Sequence, residues 1–254
     1  MCTRLIVVAL VLVGTASCLP QGRVVNGTDS SIRRYPFMIS LREPKGSHSC
    51  GGTIITPNWI LTAAHCVDVS YATDQTIQYG LTDVAVEGPN VVPIKRVIMH
   101  PDYLPAKGFD NDIALVELAG NLIYNYKTIA PVTLPEENFE ISQVPEGVPG
   151  VLAGWGLNAT GGVRQKTLQE VNLKIYSDNA CQTLFNNTTS NDQLCGGVDE
   201  GYKGACSSDS GGPLIYDGSL QVGVVSYGRL PCASYPGVYA KVSHYIGWIN
   251  RYIR

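Results

Sequence analysis

Short apolar runs, broken at close intervals by turn residues, set the pattern of this chain. They fall at 37–41, 52–55, 59–62, 76–79, 90–99 and 113–118, then at 150–154, 166–175, 212–216, 220–226 and 237–241. Turn-forming residues separate nearly all of them, the arrangement expected of antiparallel sandwiches or barrels. The strand–helix alternation that builds a parallel sheet is not visible. One helical period closes the chain: Ser243 stands at the cap position, Ile246, Ile249 and Ile253 share a face, and Trp248 and Tyr252 lie nearby. Between the halves, 128–149 carries four prolines and a group of glutamates, and reads as a connection.

The first residues follow a different rule. Arg4 precedes nine apolar residues, 5–13, and then the small-residue stretch 14–18. That is the layout of a secretory signal peptide, and the apolar run falls far short of the roughly 20 residues a membrane span needs. A cut after Ala16 leaves seven cysteines and orphans Cys18, whereas a cut after Cys18 leaves six. The even count suits an oxidising compartment and favours the second cut. The chain is therefore expected to be secreted and extracellular, with no membrane partner.

Composition narrows the function classes. The 254 residues, 44% hydrophobic, suit one large domain or two small ones sharing a core. Net charge is −3 and the longest basic run is Arg33-Arg34, which argues against a nucleic-acid surface. The histidines His48, His65, His100 and His244 are not spaced as metal ligands, and no C-x-x-C pair occurs. A glycine-rich phosphate loop is missing too. No cofactor and no metal are expected.

What remains is nucleophilic catalysis. In CSSDSGGP, 206–213, Ser210 sits between an aspartate and two glycines, which would let backbone approach a substrate closely. A serine hydroxyl is a weak nucleophile that needs a base, the base needs an orienting carboxylate, and the developing oxyanion needs N–H donors. TAAHC, 62–66, places His65 after an apolar strand, and DNDIALVEL, 110–118, places Asp112 at the start of a buried-type strand.

TAAHC, DNDIAL, AGWG at 153–156, DSGGP and SYG at 226–228 occur together and in that order. In this the chain resembles the trypsin/chymotrypsin family of serine endopeptidases over 24–254. The resemblance implies an all-β fold of two antiparallel six-stranded β-barrels, the active site between them and a helix at the C-terminus. The implied layout is a signal at 1–18, an activation propeptide at 19–23 and a protease domain at 24–254. Within that domain the first barrel covers about 38–130, the second about 131–242 and the helix 243–254.

The family pattern further implies His65 as general base and acid, Asp112 as its orienting carboxylate and Ser210 as nucleophile. Ser226 matches the serine that bonds the buried aspartate. The oxyanion donors would be the N–H groups of Ser208 and Ser210. Cleavage after Arg23, by a trypsin-like protease, would free the α-ammonium of Val24 to pair with Asp209. Gly204 matches the pocket floor, where a trypsin-type enzyme has aspartate, and Gly228 and Gly237 match open walls. An open neutral pocket implies chymotrypsin-like cleavage after large apolar residues.

The resemblance also selects the pairs Cys50–Cys66, Cys181–Cys195 and Cys206–Cys232. Sequons at Asn26, Asn158, Asn186 and Asn187 are glycosylation candidates. Partners are protein or peptide substrates, an activating protease and, by family analogy, protein inhibitors, with the enzyme a monomer. Ser208 departs from the family, which carries glycine there. Its Cβ raises the alternative of a protease-like binding protein with weak turnover.

Overall fold

A computed structural model describes residues 24–253, apart from 86, 87, 89, 138 and 144–146. The signal peptide, the propeptide, Arg23, Cys2 and Cys18 lie outside the described residues.

The strands are β1 (Thr28–Asp29), β2 (Met38–Arg42), β3 (His48–Thr56), β4 (Trp59–Thr62), β5 (Thr76–Tyr79), β6 (Val91–Met99) and β7 (Ala114–Leu118). After the connection come β8 (Val148–Gly154), β9 (Gln169–Ile175), helix α1 (Asp178–Leu184) and β10 (Gln193–Gly197). β11 (Pro213–Tyr216), β12 (Leu220–Tyr227), β13 (Gly237–Lys241) and helix α2 (Val242–Ile249) complete the chain.

All pairings between these strands are antiparallel. The order β2-β3-β4-β7-β6-β5 closes into a six-stranded barrel when β5 pairs with β2. The order β9-β10-β13-β12-β11-β8 closes when β8 pairs with β9, and β1 extends the edge of β9. Closure leaves few free edges, which explains how short strands suffice. The expected pair of six-stranded barrels is present.

Each strand-like run in the sequence lies within or over a strand. Three elements escaped the periodicity, the first being the two-residue, exposed β1. β10 is buried along its whole length and carries two glycines, so it shows no alternation. α1 is a seven-residue helix capped by Ser177, whose Oγ accepts from the Ala180 N–H at 3.3 Å. The closing helix is also shorter than its pattern suggested. It starts at Val242, so Ser243 lies inside the first turn, buried, and does not cap it.

One large core cluster joins the barrels. It contains first-barrel residues such as Ile39, Ile54, Leu61 and Leu115, second-barrel residues such as Ala153, Val224 and Ala240, and Tyr245, Ile246, Trp248 and Ile249 of α2. The helix that follows the second barrel thus packs in the cluster that holds the first. A fully buried Ile or Leu contributes about 2–3 kcal/mol, so this packing holds the two barrels together and the cleft between them.

Candidate active site

Three loops from the two barrels meet around Ser210. The first is the end of β4, followed by a single 3-10 turn at Ala64–Cys66 that carries His65. Cys50–Cys66 ties that turn back to β3. The second is the turn before β7. Phe109 and Asn111 both take left-handed backbone there, with φ of 59° and 55°, and Asp112 follows. Second-barrel and α2 side chains hold this turn. Asp192 accepts from the Asn111 N–H at 2.9 Å and from the Tyr245 hydroxyl at 2.6 Å, and Gln193 donates to the Gly108 carbonyl at 3.1 Å. Burial raises the Asp192 pKa, but hydrogen bonds from Ser190, Tyr245 and Asn111 outweigh it and keep the carboxyl below its ordinary range.

The third loop, 206–212, answers why so little side chain surrounds one hydroxyl. Gly51 donates to the Ser210 carbonyl at 2.8 Å, and Thr62 Oγ1 donates to the Gly51 carbonyl at 2.8 Å. Gly211 lies against both: a Cβ there would stand 2.1 Å from Thr62 Oγ1 and 2.5 Å from the Gly51 oxygen, and its φ is 77°. Only glycine lets the Ser210 loop of one barrel seat against the His65 strand of the other.

Asp112 is buried and accepts three hydrogen bonds. They come from the His65 backbone N–H at 2.9 Å, His65 Nδ1 at 2.7 Å and Ser226 Oγ at 2.5 Å. With Nδ1–H committed to the carboxylate, His65 Nε2 is the nitrogen left with a lone pair. Among the described residues no hydrogen bond joins Ser210 Oγ to Nε2, whose recorded contact is Cys66 Sγ at 3.8 Å. A long nucleophile–base contact is common before substrate binds. Beside the imidazole, Phe109 sits edge-on at 5.8 Å and stacks on Tyr227 at 5.6 Å, forming an aromatic wall.

The backbone N–H groups of Ser208 and Ser210 have no acceptor among the described residues, whereas Asp209, Gly211 and Gly212 all donate internally. Two unengaged donors beside a hydroxyl suit a developing oxyanion. Ser208 holds φ of 73°, left-handed for a residue with a Cβ. Its carbonyl accepts from His48 Nε2 at 3.0 Å, and Ser40 Oγ donates to His48 Nδ1 at 2.8 Å. Burial, then the nearby charges of Arg164 and Arg42, lower the His48 pKa to about 4 despite the Ser208 bond, so the ring is neutral at neutral pH. Sequence reasoning saw in His48 only a histidine without metal spacing; its place opposite Arg42, on the strand paired with the one that carries Ser40, was the missed signal.

Asp209 is enclosed and accepts from Gly156 N–H at 2.8 Å and Cys206 N–H at 3.0 Å. A Cβ on Gly156 would stand 2.3 Å from its carboxyl, so the glycines of AGWG make room for it. Burial pushes the pKa up to about 7. Val24 is fully buried in the second-barrel core, with Leu152 and Leu214 in the same cluster.

A cavity of about 230 Å³ opens beside Ser210. Ser226, Gly228 and Gly237 are among the residues that line it. Gly204 is buried, bridges to Val25 and carries no side chain; its neighbour Ala205 lines the cavity, as does Ala233, which a Cβ on Gly204 would meet at 3.4 Å. Among the described residues the lining contains no carboxylate, and its one charged residue is Arg229, whose guanidinium lies over the rings of Phe185 at 5.1 Å and Tyr235 at 4.9 Å. Cys206–Cys232 braces this wall, and Cys181–Cys195 ties α1 to β10, so all three expected bridges form. Cys50, His65 and Cys66 cluster closely enough to resemble a metal site, but the two sulfurs are already bonded to each other. Asn26, Asn186 and Asn187 are exposed, and Asn158 is half-buried.

Two closed barrels with a serine, a histidine and a buried carboxylate in the cleft define a serine endopeptidase. A family model described as Trypsin matches residues 24–249. The chain is 38% identical to a trypsin of Phaedon cochleariae over 237 residues, covering 91% of this chain and 88% of that one. It is 35% identical to trypsin II-P29 of Gallus gallus over 249 residues, 94% of each chain. Among solved structures, neuropsin, a serine protease expressed in the limbic system of mouse brain, superposes with a TM-score of 0.79 at 27% identity, covering 90% of this chain and 99% of that one. The chain belongs to the trypsin family. Among the described residues, no helix is long and apolar enough to cross a membrane.

Proposed function

We propose that this is a secreted endopeptidase, made as a zymogen, that cleaves after large apolar residues such as Phe, Tyr, Leu or Met. The observation that carries the specificity is the cavity beside Ser210: about 230 Å³, open between Gly228 and Gly237, without a carboxylate to receive Lys or Arg. A cation entering it would lose hydration unpaired and meet Arg229, at a cost of several kcal/mol. An apolar side chain gains by the same desolvation.

Ser210 Oγ attacks the scissile carbonyl carbon while its proton passes to His65 Nε2, and Asp112 steadies the imidazolium through Nδ1–H. The oxyanion meets the N–H groups of Ser208 and Ser210. On collapse His65 returns the proton to the leaving amine, and water then opens the acyl-enzyme by the reverse exchange. These are the roles of the triad template that describes this family. Cleavage after Arg23 frees the Val24 ammonium, whose partner is Asp209, a buried carboxyl with two N–H donors and no cation among the described residues. With no acid in its own pocket the enzyme does not activate itself efficiently, so a protease of tryptic preference makes the cut.

The other reading, a binding protein with little turnover, is not favoured: His65, Asp112 and Ser210 are all present, and the chain belongs to a family of proteases. The test is to treat the secreted proform with trypsin and offer peptides differing only in the residue before the cut: Phe, Leu, Ala or Arg. Fastest cleavage after Phe or Leu is expected, with organophosphate labelling of Ser210. Preferred cleavage after Arg overturns the pocket argument, and labelling without turnover overturns the catalytic one.

A further inference from the structure

A second cavity, of about 410 Å³, shares no lining residue with the one beside Ser210 and meets the 206–210 loop through His48, which bonds the Ser208 carbonyl. Three distant segments build it: the β2–β3 turn with Arg42, Lys45 and His48, residues 84 and 85, and the stretch 164–166 with Arg164 and Lys166. Among the described residues its lining has four permanent cations and no carboxylate. Lys45, Arg164 and Lys166 have no ion-pair partner among the described residues. Glu43 is held by Ser47 Oγ at 3.3 Å and is not part of the lining. Arg42 is buried, and its guanidinium is fixed by the Gly46 carbonyl, leaving its other N–H groups without acceptors among the described residues. The whole chain carries −3, so these like charges gather against the sign of the bulk. Holding them together costs free energy that an anion would return.

We propose that this cavity receives acidic side chains of the polypeptide substrate on the leaving-group side of the scissile bond. The inference rests on Ser210 being the nucleophile. A substrate whose residue before the cut fills the cavity beside Ser210 continues past Ser208. The carbonyl of Ser208 is bonded to His48, and His48 lines the basic cavity. The side chains that follow the cut therefore meet Arg164, Lys166, Lys45 and Arg42. Carboxylates of Asp and Glu are the chemistry that fits.

Binding is measured with the Ser210→Ala protein, cut after Arg23 by trypsin, so that it does not depend on turnover. The probes are two fluorescein-labelled peptides with Phe at the cleavage position, one followed by glutamates and the other by glutamines, read by anisotropy. The glutamate peptide is expected to bind about tenfold tighter at low salt, since two or three partly exposed ion pairs supply a factor of that order. The advantage disappears in molar salt, where screening is nearly complete. Arg164→Gln with Lys166→Gln removes it, and Arg164→Glu with Lys166→Glu turns the preference towards a lysine-bearing peptide, an inversion that misfolding would not produce. Equal binding of the two probes overturns the proposal, as does a preference that survives both double variants. Dextran sulfate binding at Arg164 and Lys166 without any glutamate preference assigns the cavity to polyanions and overturns it too. Organophosphate labelling of the unmutated enzyme reports separately on Ser210, so a failed catalytic reading is told apart from a failed docking surface.

Discussion

Burial makes Asp209 a pH-dependent weakness of the uncut chain. Burial pushes its pKa from 3.8 up to about 7, and the N–H groups of Cys206 and Gly156 offset only part of that. The folded, uncut chain therefore binds this proton more tightly than the unfolded chain does. The group's stability contribution is intact below about pH 4, falls as the pH rises towards 7, and is flat above. The gap corresponds to about 4 kcal/mol, at roughly 1.4 kcal/mol for each tenfold step in the proton equilibrium. Cutting after Arg23 supplies the Val24 ammonium, which favours the ionised carboxylate and removes the fall. The assay is urea unfolding across this pH range in a Ser210→Ala background that prevents self-digestion. One sample is kept uncut by Arg23→Gln, one is cut, and one is uncut with Asp209→Asn. The uncut chain should lose stability relative to Asp209→Asn as the pH rises, and the cut chain should not. Parallel pH curves for cut and uncut protein would refute the ammonium–carboxylate pairing. An unchanged gap between the uncut chain and Asp209→Asn would show that Asp209 is not the titrating group.

Further outcomes follow from the loop geometry. Ser208→Gly removes a Cβ from backbone at φ of 73°; relief of about 1–2 kcal/mol, less about 0.5–1 for glycine's extra unfolded freedom, predicts a slightly higher Tm. Its kcat/KM should be at least that of the parent, because His48 still holds the carbonyl, and a fall in both quantities would count against strain. Gly211→Ala puts a Cβ 2.1 Å from Thr62 Oγ1, so a loss of about 3 kcal/mol or more is expected by chemical unfolding, and parent-like stability would contradict the close approach. Asp112→Asn replaces an acceptor of the His65 Nδ1 proton with an amide that can donate. As in the family template, kcat should drop by about 10⁴ with KM little changed, and a small drop would remove Asp112 from its role.

The strand runs were legible as short apolar stretches between turn residues, and remain so where, as in β2, β4 and β7, the strand is buried throughout. β10 was not, because Gln193 and two glycines leave only Leu194 and Cys195 between them, too short an apolar run to read. The candidate site residues were legible for a different reason: TAAHC, DNDIAL and DSGGP each carry an unusual local requirement, such as glycine at 211, that chance rarely supplies together. The supports around them were not. Asp192 beneath Asn111, and His48 behind Ser208, act on residues 81 and 160 positions away.

By itself the sequence determined the kind of chemistry: one hydroxyl, one imidazole and one carboxylate, and an even set of cysteines after the preferred signal cut. Side-chain type and local backbone preference are properties of single positions, so they survive in one dimension. Only the tertiary structure decided that Ser208 takes left-handed backbone with its carbonyl held, and that Arg42, Lys45, Arg164 and Lys166 surround one space. Those facts depend on which segments barrel closure brings side by side, and no local pattern encodes the distance between residues far apart in the chain.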